Sequence, residues 1–402
     1  MTTVATASRR ARRGASRSGA GLFEALAVAT EAADDVVLGT VRDVHRAVAR
    51  RVFAMTNRGT AGSARVSQLV HDAVSTTVYS GLGTTLRATG RGLRAADRRG
   101  AGRPIDSTPR GRFLVSAVNG LIGDRLAEQH SGLAIELAVR HEGRDVALGI
   151  ESLRRVFPRA TEDVVVFLHG LGENESHWHA WSAEQGGSYG TRLAAETSWT
   201  PVYLRANTGL PIADNGVALA SLLDDLVAAW PVRVRRLALV GHSMGGLIMR
   251  AACAVSTDAE TPWNTLVTDV VTLGSPHLGA PLERGVALGA GTLGRLPESA
   301  PFGRILEYRS VGILDLRAGL AADLQHLPHA RYHLVAATLA RSARHPVSEA
   351  LGDLLVRYPS ATGRPRRGPE MFPGADVLHV KGDHFGLLNH PQVYPALKSW
   401  LG

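Results

Sequence analysis

Residues 237–250 read LALVGHSMGGLIMR. Leu237 to Val240 is an unbroken apolar run between Arg235-Arg236 and Gly241. That is the pattern of a strand covered on both faces, as in a parallel sheet. Leu247, Ile248, Ala251, Ala252 and Val255 then recur at helical spacing, with no proline before Pro262. A buried strand that turns through Gly241-His242-Ser243-Met244-Gly245 straight into a helix points to helices layered on a parallel sheet. The glycines suit such a turn. A serine on a sharp bend adopts a strained backbone, and its neighbours must come close. The bend also sets Ser243 at a helix N-terminus, where free amides favour developing negative charge. In a chain with 44 glycines among 402 residues, G-x-S-x-G also arises by chance. An ordinary glycine-rich turn is the competing reading, and the surroundings must decide.

Upstream, EDVVVFLHGLGENESHWHAW spans Glu162 to Trp181. Val164 to Leu168 predicts another buried strand, followed by His169-Gly170-Leu171-Gly172. A His-Gly-rich loop after an early strand can supply an oxyanion amide. The backbone N–H groups of Leu171 and Met244 are the expected donors, with His169 structural. Val202 to Leu204 predicts a short strand, and Val217, Leu219, Leu222, Leu223, Leu226 and Val227 predict a helix from about Asn215 to Trp230. Further strands are expected at Asp269 to Leu273, Tyr332 to Ala336 and Asp376 to Val380. Strands alternating with helices at this spacing predict an α/β fold with a mostly parallel central sheet flanked by helices.

The chain has 16 histidines, so position must select among them. A base facing a strand-end serine belongs on the loop after the last strand. His384 follows the Gly382-Asp383 turn there. His379 lies inside the strand, and His390, beside Pro391, is the fallback. An acid that orients the histidine falls between serine and histidine in this chain order. Asp258, Asp269, Asp315, Asp323, Asp353, Asp376 and Asp383 are candidates. Asp353 is preferred, because it lies on a loop after the strand around Leu334.

With these residues in hand, residues 162–402 resemble an α/β-hydrolase of the esterase/lipase group that includes GPI inositol-deacylase-like serine hydrolases. The motifs are HGLGE, GHSMGG, TLGSPHLGAPLE, RSVGILDLRAGL, LGDLLVRYPSA and GDHFGLLNH. The resemblance implies Ser243 as nucleophile, Asp353 as acid and His384 as base. It also implies that Gly274 to Pro281 flanks the site, so that Gly170, His242, His277 and Leu278 are expected to meet substrate. The expected chemistry is ester hydrolysis through an acyl-enzyme, with no cofactor and no metal. His177 and His179 form a pair with no obvious third ligand, and no dinucleotide-binding or P-loop motif is present.

About fifty residues separate the GSPH loop from the strand near 332, too many for a simple connection. A helical lid over about 281–330 is expected, which would supply an apolar acyl pocket. The competing reading is a surface insertion unrelated to substrate.

Charge divides the chain differently. Residues 1–110 carry 18 arginines and 8 acidic residues, a balance of +10 against +9 for the whole chain. Residues 1–20 read as a disordered basic tail. A basic α-helical region is expected over 21–129. Val37, Val41, Val44, Val48 and Val52 mark one helix face, and Val66, Leu69, Val70, Ala73, Val74, Thr77 and Val78 another. These helices either pack on the hydrolase or meet an anionic membrane peripherally. Scarce aromatics and the absence of a binding motif argue against nucleic acid. Leu133–Val139 and Arg144–Leu148 predict a hairpin around Glu142-Gly143, opening a catalytic domain over 130–402.

No run of eighteen apolar residues occurs, so no membrane span is expected. Glu24, Glu31, Asp34 and Asp35 spoil a signal peptide, and one cysteine, Cys253, forms no intrachain disulfide. A cytoplasmic protein, at most associated with a membrane face, is expected. The leading expectation is a serine ester hydrolase acting on an apolar, lipid-like ester. An acyltransferase using the same acyl-enzyme, or a non-catalytic membrane-surface protein on a hydrolase fold, are the alternatives.

Overall fold

The computed structural model describes residues 22–32, 65–99, 105–255, 262–279, 310–319, 326–342, 345, 352–353, 355–365 and 368–402. The expected tail and the expected helix over Val37–Val52 lie outside the described residues, as do residues 281–309 and 320–325 of the expected lid.

The strands are β1 (Ala138–His141), β2 (Arg144–Val146), β3 (Asp163–Leu168), β4 (Trp199–Arg205), β5 (Arg236–His242), β6 (Val267–Leu273), β7 (Arg331–Thr338) and β8 (Asp376–Lys381). They form one sheet in the order β2-β1-β4-β3-β5-β6-β7-β8. Strands β3 to β8 run parallel, and the β1–β2 hairpin adds two antiparallel strands at one edge. The helices are α1 (Leu22–Ala32), α2 (Arg65–Arg98), α3 (Pro109–Glu128), α4 (Ile150–Val156), α5 (Tyr189–Glu196), α6 (Ile212–Ala229), α7 (Met244–Cys253), α8 (Val311–Ala318), α9 (Tyr358–Ala361) and α10 (Val393–Leu401). This is the α/β-hydrolase fold, with the expected helical region ahead of it.

The unbroken apolar runs find their reason in two cores, one on each face of the sheet. Val164, Val166 and Leu168 of β3 pack with Leu237 and Leu239 of β5 beneath α6 and α7. The alternate residues Val165, Phe167, Ala238 and Val240 pack on the opposite face with Trp178, Tyr189 and Leu397. A strand covered on both sides has no polar face to show, because its side chains alternate between two dry layers.

The chain leaves β3 for β4 on one side, then crosses to β5 on the other. The carboxyl ends of β3 and β5 therefore border the crevice where the strand order reverses, the usual ligand position in open α/β sheets.

One difference from the sequence reading concerns the approach to the sheet. The first hairpin strand starts at Ala138, not at Leu133. Residues before it bond to a side chain rather than to a ladder. Asn119 Nδ2 donates to the Leu133 carbonyl at 2.8 Å, and Asn119 Oδ1 accepts from the Ile135 amide at 2.9 Å. The turn itself is as its residues suggest: Glu142 and Gly143 have φ of 48° and 76°, a pair that two-residue hairpins favour. Helix α3 lies in the helical region expected over 21–129 and packs on the hydrolase core. Ser310 Oγ donates to its Gly120 carbonyl at 2.7 Å, and Asn207 Nδ2 to its Gly123 carbonyl at 3.0 Å.

Helix α8, within the described part of the expected lid, docks against α3. The Val311 amide donates to Asp124 Oδ2 at 2.9 Å. Among the described residues no helix is long and apolar enough to cross a membrane.

Candidate active site

Ser243 follows β5 and caps α7 with φ 51° and ψ −122°, a left-side backbone that only a rigid surround holds for a residue with a Cβ. The surround is visible. The Ser243 amide donates to the Leu273 carbonyl of β6 at 2.8 Å. Gly245 lies so close to β3 that a Cβ there would meet the Leu168 carbonyl oxygen at 2.4 Å. The turn is thus clamped by the strands on both sides of β5.

His384 follows β8, and Asp353 lies on the loop after β7. His384 Nδ1 donates to Asp353 Oδ2 at 2.7 Å, with both side chains buried. Asp353 Oδ1 accepts from the amides of Leu355 at 3.0 Å and Val356 at 2.7 Å, which fixes the carboxylate plane. The His384 amide also donates to the Asp353 carbonyl at 3.0 Å, so the two loops are joined by main chain as well. With Nδ1 donating to a carboxylate, Nε2 is left as the acceptor face of a neutral ring. The ring of His384 stands 4.8 Å from that of His242, the residue before Ser243. The Ser243 hydroxyl makes no hydrogen bond among the described residues; such bonds commonly tighten only on substrate binding.

The other described candidates are engaged elsewhere. Asp315 Oδ2 accepts from the Ile212 amide at 2.9 Å and caps α6. Asp269 and Asp376 flank His333 at the far end of the sheet. Asp383 Oδ1 accepts from the Gly386 amide at 2.8 Å. Asp258 and Asp323 lie outside the described residues. His379 pairs with Thr338 Oγ1 at 2.7 Å, and His390 lies 3.3 Å from the Lys381 carbonyl.

The loop after β3 arches over Ser243. A Cβ on Gly170 would stand 3.0 Å from the Ser243 Cβ. The Gly170 amide donates to Glu173 Oε2 at 2.8 Å and the Gly172 amide to Thr208 Oγ1 at 2.9 Å. Between them, the Leu171 amide donates to no acceptor among the described residues, nor does that of Met244 at the first position of α7. His169 braces this loop: its Nδ1 donates to the Gly170 carbonyl at 2.9 Å, and its Nε2 accepts from the Ala206 amide at 3.1 Å. Burial drives its pKa below the ordinary histidine value, consistent with a neutral ring in that tautomer.

His242 departs from the expectation of substrate contact. Its ring is 0% exposed, Nδ1 lies 3.0 Å from Glu173 Oε2, and Nε2 lies 3.2 Å from the His384 carbonyl oxygen. Both nitrogens are taken, so the ring is not available to a substrate. Burial works against charge on His242, but the Glu173 carboxylate and the His384 carbonyl outweigh it and raise its pKa. Burial likewise opposes the Glu173 carboxylate, yet the charge and hydrogen bond of His242, with the Gly170 amide, hold it down to about 2.

His277 and Leu278 brace the fold. The His277 amide donates to the Ser360 carbonyl at 3.1 Å and the Leu278 amide to Ser360 Oγ at 3.1 Å, joining the loop after β6 to α9. The His277 ring is 1% exposed and stacks edgewise on Phe372. Burial, with the nearby Arg250 and His326, drives its pKa well below the ordinary value.

Helix α3 is the contributor that residue patterns did not reveal. Gly120 packs against the backbone of Gly172, and Asn174 Nδ2 donates to Ser116 Oγ at 3.3 Å. The usable signal was the small face Ser116, Gly120, Gly123, spaced for one side of a helix. Among the described residues no group of three His, Cys, Asp or Glu side chains could hold a metal. His177 Nδ1 accepts from the Asn174 amide at 3.1 Å, and the His179 ring lies 5.2 Å from that of Tyr203, tilted by 50°.

A serine on a clamped strand-to-helix bend, with a carboxylate-bound histidine on the loops beyond it in an eight-stranded, mostly parallel sheet, defines the class: a serine hydrolase of α/β-hydrolase fold. The family model described as "Putative serine esterase (DUF676)" matches residues 159–299, from just before β3 to beyond β6 and including Ser243. With that match the chain is a serine ester hydrolase, and the expected likeness to GPI inositol-deacylase-like hydrolases is consistent with it. No curated protein matches. Among solved structures, the mature lipase BlEst2 of Bacillus licheniformis is 20% identical, with 60% of this chain and 93% of that one covered at a TM-score of 0.42. The carboxylesterase CesB of Bacillus subtilis is 14% identical, with 71% and 98% covered at 0.36. The esterase Pf2001 of Pyrococcus furiosus is 16% identical, with 60% and 83% covered at 0.34. The strand order carries the fold assignment without them.

Proposed function

We propose that the protein hydrolyses an apolar, lipid-like carboxylic ester with Ser243 as nucleophile, His384 as base and Asp353 as the acid that orients it. The observation that carries this reading is the 2.7 Å bond between His384 Nδ1 and Asp353 Oδ2 beside the strained Ser243. Nδ1 holds its proton against Asp353, so Nε2 takes the proton of Ser243 as Oγ attacks the ester carbonyl. The tetrahedral oxyanion turns toward the amides of Leu171 and Met244, which have no acceptor of their own among the described residues. Collapse breaks the ester bond, and the leaving alcohol takes the proton back from Nε2. Water, deprotonated by the same nitrogen, then attacks the acyl-enzyme and releases the acid.

The preference for an apolar ester rests on exposed apolar side chains. Val74, Val78 and Leu82 form an open stripe on α2, and Val311 and Leu314 are open on α8. The same stripe, in a region of high arginine content, supports peripheral contact with an anionic membrane from the cytoplasmic side. Ester chain-length profiles for the wild type and Ser243→Ala test the assignment. Removing one member of such a triad costs about 10⁴-fold or more in kcat, so the variant should be inert. Equal activity in the two would exclude Ser243. Adding an acceptor alcohol and analysing products separates hydrolysis from acyl transfer: a transesterified product would replace the reading with an acyltransferase. A wild type that turns over no ester and resists a fluorophosphonate would leave the non-catalytic membrane-surface protein.

A further inference from the structure

His242 stands between two acceptors. Glu173 Oε2 lies 3.0 Å from its Nδ1, and the His384 carbonyl oxygen lies 3.2 Å from its Nε2. A neutral imidazole carries one N–H and can satisfy only one of them. Water does not substitute, because the ring is 0% exposed. A protonated Glu173 could donate to the ring instead, but the Gly170 amide donating to the same Oε2 at 2.8 Å favours the carboxylate.

We propose that His242 is a buried imidazolium paired with Glu173, and that this pair fastens the oxyanion loop and the His384 loop to the bend that carries Ser243. The fastening runs through named bonds: Gly170 N–H to Glu173, Glu173 to His242, and His242 to the carbonyl of His384. Neither side chain is placed at the reacting atoms, so both are positioning residues. The role rests on the triad assignment above.

The neighbourhood is consistent with a held charge. Glu173 faces His242 from the loop after β3, Asp353 acts on it from the loop after β7, and His384 faces it from the loop after β8. His169 acts on Glu173 from the same loop. The rings of Trp178 and Phe385 complete the surroundings of His242. The raised His242 contributes stability in full below its ordinary 6.5 and loses it as pH rises through its higher folded value. The depressed Glu173 contributes in full above its ordinary 4.5 and loses it as pH falls through about 2. The pair is therefore fully in force between 4.5 and 6.5 and fades on either side.

The decisive measurement is the ring ¹⁵N spectrum of His242 in the full-length protein, assigned by its absence from His242→Gln. Doubly protonated nitrogens are expected at pH 6, inside that window; a neutral ring at pH 6 overturns the proposal, whatever the variants do. Kinetics supply the second arm. Glu173→Gln should lower kcat about 10²-fold, the scale of a small misplacement of reacting groups, with KM little changed. The double variant Glu173→Gln/His242→Gln should be no worse than the poorer single variant, because each single change leaves one charge buried alone. Full kcat in Glu173→Gln also overturns the proposal. Failure of the triad assignment looks different: there the wild type itself is inactive or Ser243→Ala is not.

Discussion

Gly170 is the residue on which the catalytic reading presses hardest. Its missing side chain leaves room above Ser243: a Cβ would stand 3.0 Å from the Ser243 Cβ, 3.2 Å from His242 Nδ1 and 3.3 Å from the Glu173 Cδ. Gly170→Ala should therefore push the oxyanion loop off the serine. We expect kcat to fall about 10-fold or more, as misplacement of reacting groups does, while the midpoint of urea unfolding moves little. A variant with unchanged kcat would mean that the loop does not bear on the reacting carbonyl. Residues of this kind differ in how far the sequence discloses them. Ser243, Asp353 and His384 stood out as candidates because each follows a predictable strand, in the chain order such sites use. The hydrogen bond that joins two of them was not readable. Glu173 stood in plain view within HGLGE, but its partner lies 69 residues away. Nothing local distinguishes a carboxylate that binds a buried histidine from one that faces water. For the same reason His242 was expected at the substrate when it is sealed beneath the bend.

At the scale of elements, the sheet was legible because buried parallel strands are continuous apolar runs, and the structure widens each run by only a residue or a few. Helix α3 was not, because its contribution is the absence of side chains on one face, a signal that Gly-rich sequences dilute. The far end of the sheet hides a second arrangement. His333 on β7 lies 2.9 Å from Asp269 of β6 and 3.1 Å from Asp376 of β8, and its ring stacks on Trp400 of α10. Arg331 donates to Asp269 and to the Trp400 carbonyl. One fully buried carboxylate thus ties three strands and the last helix. Burial alone would raise the Asp269 pKa, but His333 and Arg331 lower it below its ordinary 3.8. Its contribution is complete above 3.8 and is lost as pH falls through the folded value. Asp269→Asn should cost about 1–3 kcal/mol, the usual result of leaving a buried partner, here His333, without its acceptor, while the exposed Arg331 is met by water. The difference from wild type should hold at pH 6 and shrink as acid protonates Asp269. Activity per folded molecule should not change, since these residues lie at the opposite ends of the strands from Ser243. A pH-independent difference in urea stability would show that packing, not the charge network, is what Asp269 supplies.

Across the whole molecule, the basic charge and one exposed apolar stripe fall on the same region. Residues 1–110 hold a balance of +10 in a chain whose total is +9, so the remainder is close to neutral. Helix α1 packs on α2, and its Glu24 accepts from Ser131 Oγ at 2.6 Å and the Gly132 amide at 2.7 Å, so the N-terminal helices are tied to the hydrolase just before the hairpin. On α2 the small residues Ser75, Gly83 and Gly90 are buried, while Val74, Val78 and Leu82 are 57%, 51% and 48% exposed. Three apolar residues at every fourth position form one stripe along a helix, and burying them in an interface is favourable only where the other surface is also apolar. Arginines in the surrounding sequence would add about 1 kcal/mol each beside an anionic leaflet, and that share is screened by salt. The full-length protein should therefore sediment with vesicles containing phosphatidylserine at low salt, less at high salt, and little with purely zwitterionic vesicles. Val74→Ser/Val78→Ser/Leu82→Ser should weaken binding while leaving turnover of a short water-soluble ester intact, because none of the three residues belongs to the catalytic centre. Loss of activity on emulsified long-chain ester alone, in that variant, would make the stripe part of how substrate is reached. Equal vesicle binding by variant and wild type would leave the arginines as the whole of the attraction, and no binding by the wild type would remove the membrane from the account altogether.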